Sequence, residues 1–231
     1  MGYSIDPISA NCYPGTSVLI NKFDIRDEAK LNSVESVLTA ARTAQWLNAP
    51  LSDSFDFLHY KAIHRFLFAD LYDWAGEVRT VNISKQGTVF CPAEGIEAQA
   101  ERIFARLKKE RFFQNFPHEV FVDEIVDFYC VTNELHPFRE GNGRSMRIWL
   151  DCILKKELGK VIDWSLIDKE DYLLAMERSP IRDVEIKVLL KSALTDRVDD
   201  REVYMKGIDA SYHYEGYNVY RTETVRSEIR R

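Results

Sequence analysis

One run near the middle of the chain carries several chemically distinct features: His136-Pro137-Phe138-Arg139-Glu140-Gly141-Asn142-Gly143-Arg144-Ser145-Met146-Arg147. It combines a candidate base, a candidate metal ligand, an anion-binding turn and two cations. Each feature by itself has an ordinary structural explanation. Their combination in one loop and one helical turn is typical of a site that handles a nucleoside triphosphate.

His136 lies at the end of a predicted helix and is followed by Pro137. Because a proline disfavours α-helical geometry at the residue before it, the imidazole is expected at the mouth of a turn. An ordinary histidine titrates near pH ~6.5, which suits a general base. The alternative is a histidine that only caps its helix. Phe138 is interpreted as an anchor of the loop in the core.

Glu140 is the acid of this loop, and beside phosphate it implies an intervening cation such as Mg²⁺, which binds carboxylate and phosphate oxygens. The alternative is a solvated surface glutamate. Gly141, Asn142 and Gly143 open the next helix, where backbone N–H groups lack partners and bind anions. The spacing differs from that of a Walker A loop.

Arg144 and Arg147 are three residues apart and share a face of the first helical turn. Two cations there oppose the helix dipole, which is reasonable if the guanidinium groups bind phosphates. The alternative is an ordinary ion pair, and Asp151 stands four residues after Arg147 as a possible partner.

Outward from this run, the pattern predicts an all-α fold with one inserted β-hairpin at about 78–91, which carries the only strand signal. Residues up to Pro14-Gly15 are expected to be irregular. Ser179-Pro180 is interpreted as the start of a helix that reaches Leu194, and Asp199 with Glu202 as a capping box that opens a last helix. The predicted helices span 27–47, 55–71, 95–112, 117–135, 143–158, 168–176, 180–194 and 199–216, the last with a possible bend at Gly207.

Composition limits the remaining possibilities. The 231 residues are 45% hydrophobic with a formal net charge of -6, enough for one core and not typical of a nucleic-acid-binding domain. The four cysteines stand far apart, at Cys12, Cys91, Cys130 and Cys152, which favours reduced thiols in a cytosol. We see no signal segment and no window of ~18 apolar residues, so no membrane partner is expected.

The central run resembles the signature H-P-F-x-[D/E]-G-N-G-R-x-x-R of the Fic family at every specified position. The resemblance covers about residues 55 to 217 and includes Asn82-Ile83-Ser84-Lys85, Met176-Glu177-Arg178-Ser179-Pro180 and Ser211-Tyr212-His213-Tyr214-Glu215-Gly216. It implies a small single-domain bacterial protein with a C-terminal inhibitory helix (class III), located in the cytoplasm. The implied organisation is an N-terminal helical segment 1–54, a Fic core 55–200, an inhibitory helix 201–217 and a flexible tail 218–231.

The resemblance implies an enzyme that transfers AMP from ATP to a Ser, Thr or Tyr hydroxyl of a target protein. His136 would take the proton of that hydroxyl, and Glu140 would hold Mg²⁺. Five residues of the run would bind the triphosphate: Gly141, Asn142, Gly143, Arg144 and Arg147.

The predicted hairpin resembles the family's flap, so Val81, Asn82, Ile83, Ser84 and Lys85 are expected to dock an extended target segment at an exposed strand edge. A purely structural hairpin is the alternative. Ser211 and Glu215 match the inhibitory motif, which implies that Glu215 pairs with Arg147 in place of the γ-phosphate. Tyr212 is a candidate for automodification, or else a packing tyrosine.

Other functions stay open from the sequence. Some relatives in this family transfer a different phosphate-containing group or remove AMP, and a catalytically silent regulatory module is a third possibility. ATP and an unidentified target protein are the expected partners, with a possible homo-oligomer. The target, the nucleotide selectivity and the oligomeric state are not indicated by the residues.

Overall fold

The computed structural model describes residues 4–5, 11–46, 54–85, 88–113 and 116–217. The predicted all-α class is confirmed, and eight α-helices lie in these ranges. They are α1 (Glu28–Trp46), α2 (Phe57–Phe68), α3 (Ile96–Lys109), α4 (His118–Leu135), α5 (Asn142–Leu158), α6 (Lys169–Arg178), α7 (Val184–Ser192) and α8 (Arg201–Tyr214).

Helix α5 lies at the centre of the bundle, packed by α2 and α4. Its Trp149 is fully buried and stacks on Phe128 of α4 with ring centroids 4.9 Å apart. The helix ends at Gly159, whose φ of 61° is the left-handed conformation that glycine adopts without strain. Because α5 begins with the predicted anion-binding turn, this packing holds the site in the core of the fold.

A three-stranded antiparallel sheet contains the predicted hairpin. Its strands are β1 (Ser4–Ile5), β2 (Ile83–Lys85) and β3 (Thr88–Val89), in the order β1-β2-β3. The hairpin prediction is confirmed, but two expectations differ from the structure. The N-terminal segment is not wholly irregular, because Ser4 pairs with Ser84 and Ile5 with Ile83, and β2 therefore presents no open edge. An uncovered strand offers unpaired backbone groups, which explains why the N-terminal segment adds to it.

A second pair of strands corrects the expectation that the hairpin holds all the strands. Strand β4 (Val161–Ile162) pairs antiparallel with β5 (Leu194–Thr195) and joins the end of α5 to the end of α7. Strands of two residues are too short to show an alternating pattern, so periodicity could not reveal them.

The prediction that Ser179-Pro180 opens a helix is wrong. The Ser179 hydroxyl donates to the Met176 carbonyl at 2.9 Å and terminates α6, and α7 begins at Val184. Ser179 thus bonds backwards along the chain rather than capping a new helix.

Helix α8 also differs slightly from its prediction. Its N-cap is Asp200, not Asp199, since the Asp200 carboxylate accepts from the backbone N–H groups of Glu202 and Val203. The helix continues without a break through Gly207 to Tyr214. Asp200 is one residue closer to these two N–H groups than Asp199 is. It therefore occupies the N-cap position, from which a side-chain oxygen reaches the N–H groups two and three residues later.

The predicted tail, residues 218–231, lies outside the described residues. Within the ranges given above, no helix combines the length and the apolar character that crossing a bilayer requires. All four cysteines are free thiols, with Cys12 and Cys130 buried.

Candidate active site

His136 caps the C-terminus of α4 with a φ of 44°, so the chain leaves the helix in a left-handed turn. Pro137 predicted the departure from α-helical geometry at this residue but not its left-handed form. Its ring stacks on Phe90 of the hairpin at a centroid distance of 3.7 Å. Nδ1 lies 3.0 Å from the Asn133 carbonyl. Because a carbonyl only accepts, Nδ1 carries the proton and Nε2 holds the lone pair.

The imidazole of His136 is kept neutral by its surroundings. Burial lowers its pKa from 6.5 to about 3; the bond to Asn133 opposes this shift, and the charges of Lys85 and Arg79 add to it. At neutral pH the ring is therefore a base with a fixed tautomer, which is the form that accepts a proton.

The loop after His136 closes on itself through Asn142. The Phe138 N–H donates to Asn142 Oδ1 at 2.8 Å, and Asn142 Nδ2 donates to the Phe138 carbonyl at 2.8 Å. Phe138 is fully buried, which confirms its interpretation as the anchor. The side-chain amide of Asn142 thus holds the loop closed, and its backbone forms part of the turn.

A second histidine, which the sequence analysis missed, supports the loop from α2. His64 Nε2 donates to the Glu140 carbonyl at 2.9 Å, and the Gly76 N–H donates to His64 Nδ1 at 2.8 Å. Burial lowers the pKa of His64 to about 3, so the ring stays neutral and keeps both bonds. A histidine on the apolar face of a helix was the only available signal, and it is not specific.

The two glycines of the turn, Gly141 and Gly143, lie where a Cβ atom would come too close to neighbouring side chains. Gly141 has a φ of 78°, and a Cβ there would lie 2.2 Å from the Phe68 ring. A Cβ on Gly143 would lie 2.4 Å from Glu215 Oε1 and 3.0 Å from Arg147 Nη1. The turn therefore keeps the backbone at the start of α5 open to close approach, as a phosphate site requires.

Glu140 lies at the rim of this turn. Its Oε1 accepts from the Gly141 N–H at 2.9 Å and stands 3.4 Å from Arg144 Nη2. Burial raises the pKa of its carboxyl, and the charge of Arg144 opposes that shift. The side chain is one-fifth exposed, so it is neither a solvated surface acid nor fully enclosed.

Arg147 meets both predicted residues of α8. Its Nε donates to Ser211 Oγ at 2.8 Å, and its Nη2 donates to Glu215 Oε1 at 2.9 Å. The alternative partner, Asp151, instead accepts from the Ile162 N–H and from Trp164 Nε1. The structure thus places the second arginine of the run against the end of the chain's last described helix.

The Glu215 carboxylate is stabilised in its charged form. Burial alone would raise its pKa, but Arg147 and then Lys85 outweigh it, and the pKa falls from 4.5 to about 2. Lys85 Nζ lies 3.5 Å from Glu215 Oε2. A shift of this size corresponds to roughly 3 kcal/mol in favour of the ionised carboxylate.

Arg144 has a different set of partners, which the sequence analysis missed. Its Nη2 lies 2.7 Å from Glu35 Oε1 of α1, and both side chains are only 2% exposed. Tyr217 shares the carboxylate, since its hydroxyl donates to Glu35 Oε1 at 2.7 Å. The sequence feature that could have revealed this pair is Glu35 itself, an acid on the apolar face of α1 one turn after Leu31.

Tyr212 faces away from solvent while α8 is docked. It is 3% exposed, and its hydroxyl shares a hydrogen bond with Thr39 Oγ1 of α1. The Arg144 guanidinium lies 5.5 Å from the centroid of its ring.

Four of the predicted site residues line one small cavity of about 90 Å³ between the hairpin, the loop and α6: His136, Gly143, Arg147 and Glu215. Its walls include His136, Gly143, Arg147, Glu215, Lys85 and Tyr172. A base, an anion-binding turn and a cation therefore face the same space, and the Glu215 carboxylate stands in it.

This fold and site define a helical protein with a histidine-containing, glycine-rich loop that opens a central helix. Residues 54–154 match the model of the Fic/DOC family. The chain is 38% identical over 175 residues to a probable protein adenylyltransferase, y4lH, of Sinorhizobium fredii, covering 75% of this chain and 88% of that protein. It is 30% identical over 190 residues to the probable protein adenylyltransferase Fic of Escherichia coli K12, covering 82% and 94%.

The chain belongs to the Fic/DOC family. The names of these relatives confirm the predicted family and enzyme class. A solved structure with a similar fold is that of the BepC protein of Bartonella tribocorum with bound AMPPNP, at a TM-score of 0.71 and 23% identity, covering 80% of this chain and 96% of that one.

Proposed function

We propose that this protein transfers AMP from ATP to a hydroxyl group of a target protein and that α8 inhibits the reaction. The observation that carries the proposal is the neutral, buried His136 that shares a cavity with the glycine turn and Arg147. Relatives named protein adenylyltransferase and the AMPPNP bound to BepC support the choice of reaction and nucleotide.

His136 is the general base in this mechanism. Its Nε2 accepts the proton of the attacking hydroxyl, while the Asn133 carbonyl stabilises the opposite ring nitrogen as it acquires positive character. The hydroxyl oxygen forms a bond to the α-phosphorus as the bond to the pyrophosphate oxygen breaks in line. Positioning and charge stabilisation supply most of the rate enhancement in such transfers.

The triphosphate binds at the start of α5. In this proposal the anion lies against the turn of Gly141, Asn142 and Gly143, where the first N–H groups of a helix lack intrahelical partners, and Arg147 neutralises its outer charge. The Gly141 N–H donates to Glu140 Oε1 in this structure. Arg144 contributes positive charge next to Glu140, whose Oε1 lies 3.4 Å from Arg144 Nη2. The pair with Glu35 holds its guanidinium in place. In this proposal Arg144 assists phosphate binding while it stays paired with Glu35, and Arg147 does so after Glu215 leaves it.

Mg²⁺ fits the donor set that the structure offers. Within the described residues no group of three His, Cys, Asp or Glu side chains gathers around one point, and Glu140 Oε1 contacts the turn at the Gly141 N–H. That arrangement suits an ion which takes one carboxylate and completes its shell with phosphate oxygens and water. When bound, the ion would neutralise charge on the phosphates, and it would also keep the Glu140 carboxyl ionised.

Inhibition follows from the ion pair between Glu215 and Arg147. While the carboxylate occupies the guanidinium, a terminal phosphate meets a negative charge where it needs a positive one. ATP then binds in an unproductive position or not at all. Removing the carboxylate by substitution takes this negative charge away from Arg147, whose Nε still donates to Ser211 Oγ.

The flap, residues 78–91, is the proposed docking element for the target. Five of its residues, Val81 to Lys85, include β2 and end beside the cavity. Among the described residues the pairing of β1 with β2 involves two residues on each strand, so an extended target segment competes with it for the same backbone groups.

Tyr212 is proposed as a site of automodification. Its burial against Thr39 means that modification requires α8 to leave its docked position first, and a modified tyrosine would not return to that site. Peptide mass spectrometry after incubation with ATP tests this, and an unmodified Tyr212 in an active preparation contradicts it.

The decisive experiment uses ATP labelled at the α-phosphate, a cell lysate, and the wild-type, Glu215→Gly and Glu215→Gly/His136→Ala proteins. We expect weak labelling of protein by the wild type, strong labelling by Glu215→Gly and none by the double variant. Labelling only from another nucleotide would indicate a different transferred group. Absence of transfer from every nucleotide by Glu215→Gly would indicate a silent module and refute the proposal.

A further inference from the structure

Arg79 connects the base of the flap to the backbone of His136. It is 3% exposed and lies between α2 and β2. Its Nε donates to the His136 carbonyl at 2.8 Å, its Nη1 to the Val81 carbonyl at 2.7 Å and its Nη2 to the Cys91 carbonyl at 2.6 Å. One side chain thus holds a residue shortly before β2, a residue shortly after β3, and the residue that carries the imidazole.

The backbone of Arg79 makes the same connection a second time. Its N–H donates to the Pro137 carbonyl at 2.8 Å. His136 and Pro137 are therefore attached to residue 79 through both main chain and side chain. This attachment fixes the carbonyl of a residue whose φ of 44° is rare for a side chain other than glycine.

We propose that Arg79 is a positioning residue that sets the distance between the docked target and the imidazole of His136. The inference rests on the proposed function, in which the flap holds the target segment and His136 takes its proton. A guanidinium is planar and its N–H groups point in fixed directions, so three carbonyls bound to it keep fixed relative positions. An error of about 1 Å in such a distance costs about 100-fold in rate.

A lysine at this position would not replace the arginine. Its ammonium is a single point with rotating donors, and it cannot bridge three carbonyls in one plane. Arg79→Lys keeps the positive charge near His136, whose pKa is lowered first by burial and further by the charges of Lys85 and Arg79. The substitution therefore removes the fixed bridge between the three carbonyls and leaves the protonation state of His136 unchanged.

The test compares two reactions of one protein, in the Glu215→Gly background. Transfer of AMP to protein needs both the flap and His136, whereas hydrolysis of ATP to AMP needs the imidazole and no docked strand. For Arg79→Lys we expect transfer to fall 10- to 100-fold more than hydrolysis, with the affinity for AMPPNP within about twofold of the parent by calorimetry. An equal fall of both reactions, or no fall, overturns the proposal.

A matched control is Arg65→Lys. Arg65 lies on α2 and reaches the nearby chain through the Ala75 carbonyl at 3.3 Å and Glu77 at 2.7 Å, without contact to the flap or to His136. We expect the ratio of transfer to hydrolysis to be unchanged in this variant. A change equal to that of Arg79→Lys would show that the effect is not specific to Arg79.

Amide hydrogen exchange tests whether Arg79 couples the flap to the His136 loop, and it does not depend on enzymatic activity. In Arg79→Lys we expect faster exchange both in the flap, at residues 83–85 and 88–90, and in the loop, at the backbone N–H groups of His136 and Phe138. Faster exchange confined to one of these segments overturns the coupling, even if the protein transfers no AMP. If Arg79→Lys does not fold, Arg79→Gln, whose amide reaches fewer carbonyls, is subjected to the same measurement with the same expectation.

Discussion

Arg144 and Arg147 stand one turn apart on α5, and their surroundings differ in kind. Arg144 is held by Glu35 of α1, a partner that comes from the core of the fold. Arg147 is held by Ser211 of α8, the last described helix of the chain, and by Glu215, the C-cap of that helix. Both guanidinium groups are almost completely buried.

The difference indicates that the two cations have separate duties. The pair of Arg144 and Glu35 is enclosed, with both side chains 2% exposed, so its partner cannot leave without opening the fold. The Glu215 side chain is 13% exposed and borders the cavity, so its replacement by phosphate needs only a movement of α8. A permanent partner positions Arg144, and an exchangeable partner regulates Arg147.

The largest expected effect is the loss of the permanent pair. Glu35→Gln leaves the Arg144 guanidinium buried without its full counter-charge, and the free energy of unfolding should fall by about 3–5 kcal/mol. Urea denaturation measures it. Asp199→Asn, which removes the surface pair with Lys155, is the control and should change stability by no more than about 1 kcal/mol. Equal effects of the two substitutions would remove the distinction between the arginines.

The next largest effect concerns Arg147, the arginine with the exchangeable partner. In the Glu215→Gly background, Arg147→Met should lower the rate of AMP transfer by about 10²–10³, because one charged donor to the phosphates is lost. Initial rates with labelled ATP provide the measurement. Arg42→Met, which removes an arginine paired with Asp70 away from the cavity, should leave the rate unchanged. Retained transfer without Arg147 would contradict its assigned role.

A smaller effect is expected at the hydroxyl of Tyr217, which joins the end of α8 to the permanent pair. Tyr217→Phe removes one hydrogen bond to the charged Glu35 and should lower the free energy of unfolding by about 1.5–3 kcal/mol. Tyr204→Phe on α8 is a control, with an expected change within about 0.5 kcal/mol. Thermal unfolding of both variants decides whether α1 contributes to the docking of α8.

The smallest expected effect is that of mild acid. The pKa of His136 is lowered to about 3, so the base stays neutral and the rate of Glu215→Gly should be flat from about pH 8 to about pH 5. The Glu215 carboxyl, with its pKa lowered to about 2, contributes to docking above its ordinary value of 4.5 and loses this contribution only as the pH falls toward 2. The ratio of Glu215→Gly to wild-type rates should therefore also be constant. Half the activity lost near pH 6.5 would show an ordinary histidine.

Local pattern was sufficient for much of this protein. The helix periods, the proline after His136 and the glycine turn predicted an all-α bundle with the site at the junction of α4 and α5, because each depends on residues close together in the chain. The errors at Ser179 and Asp199 are also local, since a hydroxyl or carboxylate near a helix end has more than one backbone group within reach.

The sequence by itself determined the loop and the chemistry that it offers. Only the tertiary structure decided that Glu35 is the partner of Arg144, that β1 covers the flap, and that Arg79 ties the flap to His136. Glu35 and Arg144 are 109 residues apart in the chain, and Arg79 and His136 are 57 apart. Contacts at such separations depend on how the helices pack around α5, and a periodic pattern within one segment carries no record of them.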